Sequence, residues 1–101
     1  MSRELDISPA AEAEIAEIWD YTASEYGLDA ADDYVSDLDR VMVRLLDYPL
    51  MGTDCSEVRK GYRRIRAGSY MNYYVPTDDG IQIMRVMHVR RDAKRHLRDW
   101  P

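Results

Sequence analysis

Between residues 62 and 89 the chain carries three short runs of β-forming residues, separated only by Ala67-Gly68-Ser69 and by Thr77-Asp78-Asp79-Gly80. Connections this short force consecutive strands to lie side by side and antiparallel, because a parallel return needs a crossover of about a dozen residues or more. The spacing predicts strands at 62–67, 70–76 and 80–89. In the third, Ile81, Ile83, Met87 and Val89 alternate with Met84 and Val86, so apolar side chains point to both faces and the strand belongs inside the sheet. The first sets Tyr62, Arg64 and Arg66 on one side and Arg63 and Ile65 on the other, which suits a more exposed position.

The preceding residues supply what this sheet must bury. Residues 3–7 alternate polar and apolar and read as a short strand. Ser8 then caps a helix, and Pro9 fits its first position because no N–H is needed there. Ala11, Ile15, Ile18, Trp19, Thr22 and Tyr26 recur at helical steps, and Gly27 is the stop. Asp29 is the expected cap of a second helix, whose stripe is Ala31, Tyr34, Val35, Leu38, Val41, Met42, Leu45 and Leu46, ending before Pro49. Residues 49–61 lack a period and are expected to be the mobile loop. The fold class is therefore α+β: an N-terminal strand, then an antiparallel helical hairpin packed on one face of a mostly antiparallel sheet. The element order is β-α-α-β-β-β, with a short C-terminal helical tail anchored by Leu97 and Trp100 and the second sheet face open.

A chain of 101 residues is expected to form one domain over 1–101. A lone Cys55 permits no internal disulfide, and no apolar run reaches the roughly 20 residues of a membrane span, so the expected location is the cytoplasm with no membrane partner. Net charge is −5, which argues against a general nucleic-acid binder. The average hides a division: residues 1–57 hold 3 basic and 15 acidic residues, residues 58–101 hold 11 and 4. Two readings follow. The halves neutralise each other inside the fold, or the basic half meets an acidic partner.

No phosphate-binding glycine loop or nucleophile elbow occurs, and His88 and His96 have no ligand-spaced neighbours, so neither metal nor cofactor is expected. Cys55 reads as an incidental thiol. Arg64, Arg66, Arg85 and His88 have the residue types of metal-free RNA cleavage, in which guanidinium groups steady the phosphate and imidazole takes a 2′-hydroxyl proton. The alternative is a solvated arginine face with a hydrogen-bonded histidine at the strand end. Eight tyrosines stand against no phenylalanine. Tyr62, Tyr70, Tyr73 and Tyr74 give either an amphipathic docking surface or part of the core.

The words Leu5-x-Ile7-Ser8-x-x-Ala11, Ile18-Trp19-x-Tyr21, Gly27, Ala31, Pro49-x-x-Gly52, Gly61-Tyr62-Arg63-Arg64, Tyr74 and Arg85-Val86-Met87-His88-x-x-x-Asp92 follow one another along nearly the whole chain. In this order they resemble the ParE branch of the RelE/ParE toxin superfamily. The resemblance implies the toxin of a type II toxin–antitoxin module, of the kind that maintains plasmids or chromosomal segments. It also implies a ParD-like antitoxin as partner, DNA gyrase as target with growth inhibition as the result, and no enzymatic activity of its own. The sister RelE branch cleaves ribosome-bound messenger RNA with lysines and arginines on the sheet. This chain has no lysine on its three strands. A non-toxic family member that only binds a partner is the third reading.

On this reading, a folding-on-binding antitoxin tail would contact Tyr62, Arg63, Arg64, Arg66 and Tyr73 on the sheet, with Trp19, Tyr34 and Leu38 from the helices. The basic end, Arg90, Arg91, Lys94 and Arg95, would meet the target. No sequence-specific nucleic-acid binding by the chain alone is expected.

Overall fold

The structure, a computed structural model, describes residues 3–91. The elements are β1 (Glu4–Ile7), α1 (Pro9–Tyr26), α2 (Leu28–Asp47), β2 (Thr53–Asp54), β3 (Arg63–Ala67), β4 (Tyr70–Pro76) and β5 (Gly80–His88). The strands form one sheet in the order β1-β5-β4-β3-β2, parallel only where β1 meets β5. The helical hairpin covers one face, so the α+β class read from the sequence is the observed one. The helical tail with Leu97 and Trp100 lies outside the described residues.

Local chemistry explains the elements. Ser8 accepts the Ala11 N–H at 3.0 Å and donates to the Met84 carbonyl at 2.7 Å, so one hydroxyl caps α1 and ties it to β5. Gly27, at φ 96°, is the whole connection between the helices. Such a φ suits glycine alone and lets α2 begin at Leu28 without a side-chain cap. Asp29, expected as that cap, falls inside the first turn, where its charge still suits the positive end of the helix dipole. Ala11, Ile18, Leu38, Met42 and Leu45 from the helices then meet Ala67, Tyr74, Ile81, Ile83 and Val86 from the sheet.

The expected parity of β5 is broken by one extra residue. Tyr73 pairs with Arg85 and Tyr74 with Ile83, leaving Met84 unopposed as a β-bulge. Past the bulge the alternation shifts: Val86 joins Ile81 and Ile83 under the helices, while Met87 joins Met84 on the other face. The strict alternation that grouped Met87 with Ile81 is corrected accordingly.

Residues 49–61 are also more ordered than their composition suggests. They contain β2, which pairs Thr53 with Arg64 and Asp54 with Arg63. The Tyr74 hydroxyl donates to the Pro49 carbonyl at 2.8 Å and accepts the Gly52 N–H at 2.9 Å, and Arg63 donates to the carbonyls of Leu50 and Gly52 at 3.1 and 2.7 Å. A Cβ at Gly52 would stand 2.6 Å from the Arg64 carbonyl oxygen, so the Pro49-x-x-Gly52 word has a packing reason. Beyond β2, Cys55, Val58 and Tyr62 fold onto Tyr73 and Met87, with Met71, Val75 and Met84 at the margin. This second apolar cluster covers much of the face expected to be open.

Candidate partner-binding surface

The residue types of an RNA-cleaving centre are present but are not brought together. Arg64 and Arg66 pair with Tyr73 and Met71 and point to the outer face, away from the helices. Arg85 is turned to α1, where its Nε and one terminal nitrogen reach the two oxygens of Glu14 at 3.0 Å each. The same Glu14 carboxylate accepts the Val86 N–H at 2.9 Å, so it fastens the bulge as well as the guanidinium. With side chains 12% and 15% exposed, this pair is structural. His88 lies at the helix-side end of β5, its ring edge-on to Tyr70 with centroids 5.4 Å apart, and its Nδ1 accepts the Arg90 N–H at 3.2 Å. The sheet itself stands between His88 and the arginine pair.

Several residues expected on a docking face are inside the protein. Tyr62 and Tyr73, each 4% exposed, belong to the second apolar cluster, and Leu38 belongs to the first. Residues 55–62, folding down over the outer face, bury Tyr62 and Tyr73, whereas Leu38 lies between the helices and the sheet. These three therefore present no surface. Arg63 is spent on loop carbonyls and stands 4.0 Å from Asp54. Trp19 is half-buried and donates from Nε1 to Asp32 at 2.9 Å, linking the two helices. Arg64 and Arg66 remain at the surface, Arg66 donating to the Gly68 carbonyl at 2.8 Å. Arg90 and Arg91 are exposed just past β5, whereas Lys94 and Arg95 lie outside the described residues.

What the residue patterns missed is a cleft at the hairpin end of the molecule. A cavity of about 590 Å³ is lined by Tyr21, Tyr26, Tyr34, Tyr70 and His88, with Ser69 in its wall. A second, of about 300 Å³, shares Tyr21, Tyr70 and His88 and extends to Glu17 and Arg91. Tyr34 and Tyr70 meet edge-on at 5.9 Å, and the Tyr34 hydroxyl accepts the Ser69 N–H at 2.8 Å. Burial, and then the neighbouring Tyr34 and Tyr21, push the Tyr70 hydroxyl pKa up. The signal was available in Tyr21, which falls outside the stripe of α1 and stands 59% exposed; Tyr26, expected inside that stripe, is instead 73% exposed at the last position of the helix.

Among the described residues no group of three or more His, Cys, Asp or Glu could hold a metal ion, and no helix is long and apolar enough to cross a membrane. Cys55 is fully buried, and burial pushes its thiol up to about 11.

Fold and surface together define a small α+β module: a helical hairpin on a five-stranded sheet, with an aromatic cleft where the two meet. Residues 5–93 match the family model described as the ParE toxin of the type II toxin–antitoxin system parDE. Toxin ParE1 of Mycobacterium tuberculosis is 41% identical over 98 residues, spanning 96% of this chain and all of that protein. Toxin ParE1 of Caulobacter vibrioides is 32% identical over 91 residues, spanning 90% of this chain and 94% of that one. A chain of the chromosomal ParDE TA system from P. aeruginosa superimposes with a TM-score of 0.76 over 87% of this chain and 97% of its own, at 20% identity, which speaks to the fold. The chain belongs to the ParE toxin family of type II toxin–antitoxin systems.

Proposed function

We propose that this protein is a toxin that a ParD-like antitoxin holds silent and that, once released, poisons DNA gyrase, blocks replication and so arrests growth. It acts as one domain over residues 1–101, in the cytoplasm, by binding rather than by catalysis of its own. The observation that carries the non-catalytic reading is the placement of Arg64, Arg66, Arg85 and His88. Two face outward, one is clamped to Glu14, and His88 is on the opposite side of the sheet. General acid–base cleavage needs its groups within hydrogen-bond reach of one phosphate and one hydroxyl. Half-buried Arg64 and exposed Arg66 support an acidic antitoxin segment on the outer face, with Trp19 and Tyr34 as contacts from the helices, while the exposed Arg90 and Arg91 are offered to the target.

Induction in growing cells tests the reading. A gyrase poison gives a DNA-damage response and filamentous cells, suppressed by the co-expressed antitoxin. A stop in protein synthesis within minutes, without DNA damage, would support the RNA-cleaving alternative instead.

A further inference from the structure

A separate surface is built at the far end of α2. Where the helix runs into the 48–52 turn, Arg44, Asp47, Tyr48, Pro49, Leu50 and Met51 line a groove of about 530 Å³. Tyr48 and Leu50 stand 61% and 68% exposed, and Met51 is exposed beside them. A lone exposed leucine is ordinary, but apolar side chains gathered along one groove mark a contact surface. The turn is fixed from beneath. The Tyr74 hydroxyl holds the Pro49 carbonyl and the Gly52 N–H, Arg63 donates to the Leu50 carbonyl at 3.1 Å, and the Met51 N–H reaches the Tyr48 carbonyl at 3.0 Å. Seating it against a partner therefore costs little backbone entropy. Its charges run against the local rule: Asp47 is the last residue of α2, at the negative end of the helix dipole, where a cation is favoured. Arg3 stands 4.0 Å from it, with both side chains well exposed, so that pair offsets little. Arg44, three residues earlier and on the same helix face, makes no ion pair among the described residues.

We infer that this groove is the contact between two copies of the chain related by a two-fold axis. Tyr48, Leu50 and Met51 of each copy pack on those of the other, and each Arg44 meets Asp47 of the partner subunit. Charge selects a second copy as the occupant. A surface with one base and one acid complements itself, because a two-fold axis sets each opposite its counterpart and forms the ion pair twice. The same pairing supplies the cation that the C-terminal end of α2 lacks. An anionic lipid surface is a poor occupant, since the chain carries a net charge of −5 and residues 1–57, which supply both helices, hold 15 acidic residues against 3 basic ones. The contact uses none of the residues offered to antitoxin or target. The aromatic cleft lies at the other end of the 20 residues of α2, roughly 30 Å away, so a dimer carries two open clefts. Six lining residues a side fall short of the roughly 20–30 of a standard interface, so the dissociation constant is expected to be on the order of 10–100 µM.

Sedimentation velocity of the full chain, purified free of antitoxin and run over a concentration series spanning that constant, tests this. The variants Leu50→Asp, Arg44→Glu and Asp47→Arg sit at exposed positions, and circular dichroism melts check that each still folds. The expected result is a monomer–dimer equilibrium in the unaltered chain, weakened tenfold or more in each variant. An equimolar mixture of Arg44→Glu and Asp47→Arg is the decisive sample. Either variant alone sets like charges against each other at both pairs, whereas a mixed dimer restores opposite charges at both, so association should return to within about threefold of the parent. A chain that stays monomeric throughout, or a Leu50→Asp variant that associates like its parent, would overturn the contact. Loss in both charge variants without recovery in the mixture would overturn the two-fold pairing of Arg44 with Asp47. Growth past the dimer into larger species would overturn a closed two-fold in favour of a head-to-tail contact. A monomeric chain whose inhibition of gyrase supercoiling is lost in Leu50→Asp would overturn the second copy as occupant and give the groove to the target.

Discussion

Tyr74 shows how one buried side chain can decide what a surface segment does. Its ring lies in the core, and its hydroxyl reaches out to hold the Pro49 carbonyl and the Gly52 N–H. Tyr74→Phe keeps the ring but strands both backbone groups, so the expected loss is about 1–3 kcal/mol in urea denaturation, with residues 49–52 exchanging their amide protons faster. Cys55 gives a pH signature. Its ordinary value of 9.0 is raised to about 11, so between those pH values the unfolded chain ionises while the folded chain does not. Stability is therefore fully present below about pH 9 and declines toward pH 11, and Cys55→Ala removes part of that decline in denaturation curves taken across the range. At neutral pH the native thiol is expected to resist a disulfide reagent until the protein unfolds. Tyr62 follows the same direction, raised chiefly by burial.

At the scale of elements, most of the fold was legible because its signals are local. Gly27, Ser8-Pro9 and the two short turns mark element boundaries wherever they occur, and the helical stripes follow a fixed period. What escaped depends on contacts distant in sequence. At the β5 bulge Glu14, some 70 residues earlier, supplies a carboxylate for Arg85 and the Val86 N–H, and no alternation rule contains that partner. The two residues of β2 are likewise set by Tyr74 and Arg63 reaching back to the loop. Glu14→Gln therefore tests the bulge. It leaves the Arg85 guanidinium nearly buried without its counter-charge, so destabilisation on the order of 3 kcal/mol is expected. Arg85→Met, which removes that charge, should return part of the loss in a double-variant cycle. A Glu14→Gln chain as stable as its parent would show that the bulge is held by packing alone.

For the whole molecule, the site was only partly readable, and for a physical reason. Arginines and tyrosines read along a strand look alike whether they face solvent or a folded-down loop. Burial sorted them: Tyr62 and Tyr73 went to the second cluster, Arg63 to loop carbonyls and Arg85 to Glu14, leaving Arg64, Arg66, Arg90 and Arg91 at the surface. The charge division of the sequence is resolved in the same way. Among the described residues Arg85–Glu14 is the well-buried ion pair across the two halves, and Arg63–Asp54, 4.0 Å apart, is a more exposed one. Arg64→Glu is expected to weaken antitoxin affinity about tenfold while leaving the thermal melt unchanged, measured by calorimetry. The most direct measurement of the account is a supercoiling assay with purified gyrase and relaxed plasmid, run beside a ribosome-dependent messenger cleavage assay. The account predicts inhibited supercoiling with trapped cleaved DNA, relief by stoichiometric antitoxin, and intact messenger. Unimpaired supercoiling together with cleaved messenger, abolished by His88→Ala, would contradict it.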